Sequence, residues 1–220
     1  MNGMSLAFLS VHNDTNNEAS RVMHFGRRWM YLAAAPVIAI AIPGSMRFFS
    51  DSTSTTATTN NARLEADLSS RRLRVYLDDT LVVQYPISVG QPRYPTPPGH
   101  YTIRQLTWNP RWTPPPDAQW AQKYHPQDPG APANPMKVAK IFFKYPDYYI
   151  HGTGDINSLG GAESHGCLRM DPEHVAEVAR FVMEHGGQPR EESWFWRVLH
   201  FRSEEKTIYL SDPIALSVVD

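Results

Sequence analysis

The only cysteine of the chain lies in a short segment whose residue types could do nucleophilic chemistry. Residues 164–170 read Ser-His-Gly-Cys-Leu-Arg-Met, and His151 precedes them by a loop. A free thiol titrates at about pH 8.5 and attacks only as the thiolate, so a neighbouring imidazole or guanidinium must favour its charged form. His151, His165 and Arg169 could each do so for Cys167, and their spacing leaves open which histidine is the base. The grouping indicates acyl transfer through a thioester.

The backbone of this segment would position the reacting groups. In an extended segment, side chains at alternate positions share a face, which would align His165, Cys167 and Arg169. Gly166 leaves the backbone beside the sulfur open, so a substrate carbonyl could approach closely. We therefore predict that the N–H groups of Gly166 and Cys167 donate to the oxyanion that forms as sulfur adds to the carbonyl.

Three other interpretations of these residues stay open. A lone cysteine is most often a small buried hydrophobe, although its polar neighbours here are not typical of an apolar pocket. His151, His165 and Cys167 could instead ligate zinc, although the chain lacks the paired Cys or His spacings typical of zinc sites. A non-catalytic binding module would have no use for a reactive thiol beside a base. The residue types therefore favour an enzyme.

Residues 151–170 resemble the catalytic signature of the L,D-transpeptidases, the cysteine transpeptidases of bacterial cell walls. The signature here is His-Gly-Thr, a loop, and then Ser-His-Gly-Cys-Leu-Arg-Met. The likeness extends over residues 72–185, with Thr-Pro-Pro-Gly at 96–99 and Asn-Pro-Met at 134–136, and residues 207–217 resemble the ending of the family. The first seventy residues take no part in it.

By position, the resemblance implies a role for each residue of the reacting pair. Cys167 would be the nucleophile and His151 the general base, with the carbonyl of Gly152 holding the imidazole in its productive tautomer. His165 would shape the oxyanion region beside Gly166.

The resemblance also implies which residues meet the substrate. Arg169, Ser164 and Thr153 would lie on the substrate side. A guanidinium at position 169 could bind a substrate carboxylate with two hydrogen bonds or steady the thiolate. The Ser164 hydroxyl would fix the loop by hydrogen bonding rather than react, because it lacks a base of its own.

The substrate that the family implies is a peptidoglycan stem tetrapeptide, cleaved after its third residue with release of D-alanine. The acyl acceptor stays open: the side-chain amine of diaminopimelate in a 3-3 cross-link, a lipoprotein lysine, a free D-amino acid, or water in an L,D-carboxypeptidase. The resemblance further implies that the enzyme needs no metal or organic cofactor and that carbapenems acylate its cysteine.

The pattern from residue 71 onward predicts a strand-rich domain that positions these residues. Residues 73–77 alternate apolar with polar or mixed side chains, Asp78 and Asp79 supply a turn, and residues 81–89 follow as a second strand. Further strands are predicted at residues 101–104, 140–143 and 148–150. One clear helix is predicted after the cysteine, with Asp171 as its N-cap and apolar residues at helical spacing. We expect an α+β domain over residues 71–220, mainly β with flanking helices, built on the β-sandwich-like mixed sheet of the L,D-transpeptidase catalytic fold.

Two aromatic stretches have no strand or helix pattern. Residues 106–136 form a proline-rich insert that carries Trp108, Trp112 and Trp120. An insert of this length is a candidate lid over the substrate, and local packing of the tryptophans is the alternative. The Trp-Phe-Trp stretch at residues 194–196 fits a core element, a cell-wall contact or a partner surface.

The amino terminus predicts export from the cytoplasm. Two arginines precede an uncharged stretch at residues 29–46, which fits an export signal or a signal anchor better than a buried core helix. We expect residues 1–49 to comprise a cytoplasmic head plus this segment, and residues 50–70, rich in Ser and Thr, to be a flexible linker. The domain would then lie in the periplasm or cell wall, secreted or anchored to the inner membrane through residues 29–46.

Composition limits the other possible partners. The 220 residues have a formal net charge of −1, which argues against a nucleic-acid partner because such proteins usually carry a strongly basic surface. The single cysteine excludes an internal disulfide although the predicted compartment would permit one, so an unpaired thiol there suggests use.

Overall fold

The computed structural model describes residues 61–220, which form an eight-stranded sheet, a two-stranded sheet and two α-helices. The predicted head, the export segment at residues 29–46 and the first part of the predicted linker lie outside the described residues. The strands are β1 (Ala62–Asp67), β2 (Arg72–Leu77), β3 (Thr80–Pro86), β4 (Val89–Gly90), β5 (Gly99–Trp108), β6 (Ala139–Lys144), β7 (Tyr148–Gly152), β8 (Ala162–Ser164), β9 (Leu168–Met170) and β10 (Lys206–Val219). The helices are α1 (Pro172–His185) and α2 (Glu192–His200).

The large sheet is mixed and has the strand order β3-β2-β1-β10-β5-β6-β7-β9. β1 runs parallel to β10, and β7 runs parallel to β9, whereas the other neighbouring pairs are antiparallel. β4 and β8 pair in parallel as the small sheet. The predicted class, mainly β with a mixed sheet, is confirmed. The topology also brings the strand that carries His151 next to the strand that follows Cys167.

The predicted hairpin consists of β2 and β3, joined at Asp78 and Asp79. Both turn residues have positive φ, at 48° and 61°. A two-residue turn with two positive φ values matches the twist of an antiparallel pair, and aspartate tolerates this conformation better than most residues. The two aspartates therefore form the turn between β2 and β3.

The domain begins earlier than the predicted boundary at residue 71. β1 lies within residues 50–70, the predicted linker, yet it pairs with β2 on one side and β10 on the other. Its buried positions alternate with charged ones, and Arg74 of β2 binds the carboxylates of Glu65 at 2.9 Å and Asp67 at 3.0 Å. The correction has a simple cause: two of the three buried side chains of β1 are alanines, a weak apolar signal among charges.

The predicted helix after the cysteine is α1. The Asp171 side chain accepts a hydrogen bond from the Glu173 N–H at 2.8 Å, Pro172 occupies the first turn, and Gly186 caps the end. Its apolar face packs against β6, β7 and β10. This packing fixes the rear of the sheet at the point where the candidate catalytic strands meet.

The stretch at residues 194–196 belongs to the second helix, α2. Phe195 is buried against Trp108, with ring centroids 5.8 Å apart, whereas Trp196 is exposed. Adjacent residues of a helix point in different directions, so Phe195 is buried and Trp196 is exposed. Neither helix in residues 61–220 has the length and apolar character that a membrane crossing requires.

The insert starts later than predicted, because Trp108 belongs to β5 and to the core. Trp108 is fully buried, and its indole N–H donates to the Met183 sulfur at 3.1 Å. Beyond it, Asn134 organises the insert: its side-chain amide donates to the carbonyls of Pro110 at 2.8 Å and Asp128 at 3.0 Å. The segment between β5 and β6 is therefore folded on itself by hydrogen bonds.

Candidate active site

The neighbouring strands β7 and β9 bring the candidate catalytic residues to one face of the sheet. Ile150 lies opposite Leu168 and His151 lies opposite Arg169 in their parallel register. Ile150 and Leu168 are fully buried in the core. Because side chains alternate along a strand, His151 and Arg169 project to the other face, where they and Cys167 line a cavity of about 760 Å³.

The segment around the cysteine is bent rather than continuously extended as predicted. β8 ends at Ser164, residues 165–167 form a bend, and β9 starts at Leu168. Gly166 has a φ of +105°, and a Cβ there would lie 2.8 Å from a ring carbon of Tyr148. Only glycine fits this conformation and this close approach. Cys167 and its neighbours still line one cavity, but the bend brings them there.

The Ser164 hydroxyl holds this bend. It is buried, donates to the Cys167 carbonyl at 2.5 Å and accepts from the Gly166 N–H at 3.1 Å. The predicted role of the Gly166 N–H as an oxyanion donor is therefore wrong in this geometry, because that N–H is already bound. Among residues 61–220, no group accepts a hydrogen bond from the Cys167 N–H, which leaves one backbone donor beside the sulfur.

His151 is buried and neutral. Its Nδ1 lies 2.7 Å from the Gly152 carbonyl oxygen, which can only accept, so Nδ1 carries the proton and Nε2 bears the lone pair. Burial lowers the pKa of His151 to about 4, and the positive charges of Arg169 and Lys140 act in the same direction. The imidazole can therefore accept a proton through Nε2 at neutral pH.

Cys167 is protonated at rest, contrary to the prediction of a thiolate. Its thiol donates to the Asp147 carbonyl at 3.2 Å. Burial raises the pKa of Cys167 to about 11, although the Tyr149 N–H and the charge of Arg169 both favour the anion. Desolvation outweighs the neighbouring cation, so Cys167 and His151 are both neutral in the free protein.

His165 is held between aromatic rings. It stacks on Trp120 of the insert, with ring centroids 3.9 Å apart and planes at 18°. Its ring centroid also lies 4.9 Å from that of Tyr94, with the two planes at 45°. Partial burial and the charges of Arg169 and Lys123 lower its pKa. The ring contacts of His165 therefore connect the cysteine loop with the insert.

Arg169 and Thr153 complete the predicted set. The backbone N–H and carbonyl of Arg169 each bond to Ser88 at 2.9 Å, and within residues 61–220 its guanidinium has no carboxylate partner. Thr153 is buried, and its hydroxyl accepts from the Asp155 N–H at 3.1 Å. Arg169 is thus free to bind an anion in the cavity, whereas Thr153 shapes the loop after β7.

Among the further residues that line the cavity without having been predicted are Lys137, Asp147 and Tyr149. Tyr149 could have been found from its place two positions before His151 on a strand, because alternate side chains share a face. Lys137 and Asp147 lie in irregular segments, where no periodic pattern predicts which way a side chain points. Within residues 61–220 no three His, Cys, Asp or Glu side chains are grouped to hold a metal ion.

Comparison with known proteins identifies the family of the domain. The family model for the L,D-transpeptidase catalytic domain, YkuD, matches residues 61–192, which is more than half of the chain. This chain belongs to that family. The match begins at β1, in agreement with the earlier domain start.

Relatives in the family match over part of their length. A Bacillus licheniformis protein that carries the name L,D-transpeptidase YkuD is 34% identical over 120 residues, covering 54% of this chain and 59% of the relative. A Fuscovulum blasticum protein named as an L,D-transpeptidase is 34% identical over 96 residues, covering 43% and 50%. The match therefore spans between half and three fifths of the length of these relatives.

Solved structures of the family are more distant. L,D-transpeptidase 3 from Mycobacterium tuberculosis, solved with a faropenem-derived adduct, aligns with a TM-score of 0.44 at 16% identity, covering 73% of this chain and 60% of the other. An L,D-transpeptidase from Mycobacterium smegmatis aligns with a TM-score of 0.43 at 16% identity, covering 73% and 59%.

Proposed function

We propose that this chain is a peptidoglycan L,D-transpeptidase. Cys167 attacks the carbonyl of the third residue of a stem tetrapeptide, releases D-alanine and transfers the acyl group to an amine. One observation carries the proposal: His151, Cys167 and Arg169 line one face at a single cavity in a chain of this family. A non-catalytic wall-binding module would not need this combination of thiol, base and cation.

The first step starts from a neutral pair. The thiol leaves the Asp147 carbonyl and turns to His151 as the substrate binds. The Sγ–C bond forms while the thiol proton passes to Nε2, and the Nδ1–H keeps donating its hydrogen bond to the Gly152 carbonyl. Because the imidazole becomes charged only in this step, the protein need not keep a buried ion pair in the resting state.

The tetrahedral intermediate carries a negative oxygen. The unbound N–H of Cys167 donates to it, a role that a preorganised backbone donor performs at little reorganisation cost. The C–N bond then breaks, the Nε2 proton of His151 passes to the departing amine, and D-alanine leaves. The product is a thioester on Cys167 with a neutral imidazole beside it.

The second half of the reaction runs in the opposite sense. An acceptor amine gives a proton to His151 Nε2 and attacks the thioester, the C–S bond breaks, and the imidazolium returns its proton to the sulfur. Water in place of the amine would give an L,D-carboxypeptidase. Arg169 lies at this cavity, and its guanidinium, which has no carboxylate partner in the described part of the chain, is suited to a substrate carboxylate.

The location follows from the substrate. We propose that residues 29–46 direct the domain out of the cytoplasm, to the periplasm or cell wall, by cleavage or as an anchor. The support is the arginine pair ahead of an uncharged stretch in the sequence. A fusion of residues 1–60 to a reporter that is active only outside the cytoplasm tests this step independently of enzyme activity.

The deciding experiment is the incubation of the purified protein with stem tetrapeptides, followed by mass analysis of the products. Cross-linked dimers with released D-alanine support the transpeptidase, and tripeptide alone in the presence of abundant amine supports the carboxypeptidase. Cys167→Ala must abolish both products. A carbapenem should add its mass to the parent protein and not to Cys167→Ala, and absence of both adduct and products would favour the binding module.

A further inference from the structure

Lys137 occupies an unusual position at the rim of the catalytic cavity. It follows Met136 at the end of the insert, just before β6, and its side chain lines the cavity together with His151. Its backbone has a φ of +55°, in the left-handed region that lysine rarely adopts. The chain therefore turns sharply here, and the direction of the lysine side chain follows from that turn.

Two glycines of the signature leave room for this side chain. A Cβ on Gly152 would lie 3.0 Å from the Cβ of Lys137, and a Cβ on Gly154 would lie 2.6 Å from its Cε and 2.9 Å from its Nζ. The lysine thus runs along the segment that leaves β7, and its ammonium ends beside Gly154. The Pro132 carbonyl accepts a hydrogen bond from this Nζ at 2.8 Å.

The ammonium of Lys137 has no acidic partner in residues 61–220. Asp147 and Asp155 also line the cavity, but neither forms an ion pair with it. A lysine has three N–H donors, and one hydrogen bond, to Pro132, is formed. A fixed cation with free donors at a substrate cavity can bind a carboxylate.

We propose that Lys137 binds the α-carboxylate of the D-alanine that leaves beside His151, and the carboxylate next to the acceptor amine that enters there. This assignment rests on the proposed function. The departing amine must take its proton from His151 Nε2, so the terminal D-alanine lies against this histidine. The next residue, Gly152, packs on Lys137. In an α-amino acid the carboxylate is separated from the amine by one carbon, so it lies within reach of a cation on this side of the cavity.

The same position selects the acceptor. The acceptor amine enters where the leaving amine departed, so Lys137 favours an amine whose own carbon carries a carboxylate. A free D-amino acid and the D-centre of diaminopimelate meet this requirement, whereas the side-chain amine of a lipoprotein lysine does not. Arg169, on the neighbouring strand, is left to bind another carboxylate of the donor peptide.

The test compares a tetrapeptide donor that ends in D-alanine with the same donor ending in D-alaninamide. Full-length protein, Lys137→Met and Lys137→Arg are assayed for kcat/KM, with Lys206→Met as a control because Lys206 pairs with Glu204 on the surface. We expect the parent and Lys206→Met to prefer the carboxylate by about tenfold to a hundredfold, the range for a charged hydrogen bond. Lys137→Met should lose the preference mainly through the acid donor, and Lys137→Arg should keep it.

The outcomes separate this inference from the proposed function. Equal turnover of both donors by the parent, or a preserved preference in Lys137→Met, overturns the role of Lys137 and leaves the transpeptidase intact. A parent that converts neither donor overturns both. A purely structural role for Lys137 would slow both donors equally. The same variants with D-methionine and D-methioninamide as acceptors should give the same pattern for the second half of the reaction.

Discussion

The indole of Trp120 lies parallel to the imidazole of His165 at a centroid distance of 3.9 Å. This stack joins the insert to the loop that carries Cys167. Trp112 lines the same cavity and meets Tyr124 edge to face at 5.9 Å, and Tyr124 in turn meets Trp120 at 6.4 Å. The aromatic side chains of the insert therefore form one wall of the cavity.

Replacement of Trp112 and Trp120 by alanine should weaken donor binding more than it weakens folding. We expect KM for the tetrapeptide to rise about tenfold, which corresponds to about 1.4 kcal/mol. Stacked aromatic pairs contribute about 0.5–1.5 kcal/mol, so the unfolding free energy should fall only modestly. Steady-state kinetics and urea unfolding measure the two effects. Trp196→Ala, which removes an exposed stacked tryptophan far along the chain, is the matched control. An unchanged KM would mean that these tryptophans serve only local packing of the insert.

The sequence predicted which residues share the cavity because their candidate chemistry is contained in one short signature. The choice of His151 as the base for Cys167 came from the family resemblance, because spacing alone left His151 and His165 both open. The charge state of Cys167 did not follow, because the neighbours that favour a thiolate are visible in sequence, whereas burial becomes known only from the fold. Residue type predicts which groups can interact, and desolvation decides the protonation state that results.

The elements that the sequence missed have weak or ambiguous patterns. β1 buries small alanines between charges, so its alternation resembles a polar segment. Trp108 and Trp120 belong to one predicted insert, yet the first is core and the second lines the cavity. In α2, Phe195 is buried and its neighbour Trp196 is exposed. A helix separates adjacent side chains in this way, but the sequence alone does not show which of the two is buried.

Alkylation of the single cysteine should report its resting state. Iodoacetamide reacts with the thiolate, and the pKa of Cys167 is about 11 because of burial. The alkylation rate of the folded protein should therefore keep rising from pH 8 towards pH 11, measured by intact mass. Arg169→Met removes a cation that favours the thiolate, so its profile should shift to still higher pH. A plateau reached below about pH 8.5, the value of a free thiol, would instead indicate a resting thiolate.

Burial of neutral His151 should make the folded state sensitive to acid. The pKa of His151 is about 4 in the folded protein, and its unperturbed value is 6.5. Between pH 4 and pH 6.5 the unfolded chain therefore binds more protons at this histidine than the folded chain does. Unfolding free energy should accordingly fall as pH decreases from 6.5 to 4, by about 3 kcal/mol from this group. In His151→Gln this contribution is absent. Urea unfolding at a series of pH values measures it, and the exposed His125→Gln controls for loss of an imidazole. Parallel pH profiles of His151→Gln and the parent would contradict a buried neutral histidine.

Replacement of Gly166 by alanine should separate backbone strain from steric exclusion in the cysteine loop. Gly166 has a φ of +105° and lacks room for a Cβ because of the Tyr148 ring at 2.8 Å. Gly160 has a φ of +82°, and no atom of residues 61–220 lies within 4 Å of such a Cβ. In Gly160→Ala, backbone strain alone should therefore lower the unfolding free energy, by about 1–2 kcal/mol. Gly166→Ala should lose more and also lower kcat, because movement of the loop displaces Cys167 from His151. Equal losses of stability with unchanged kcat in both variants would mean that the loop tolerates a side chain at Gly166.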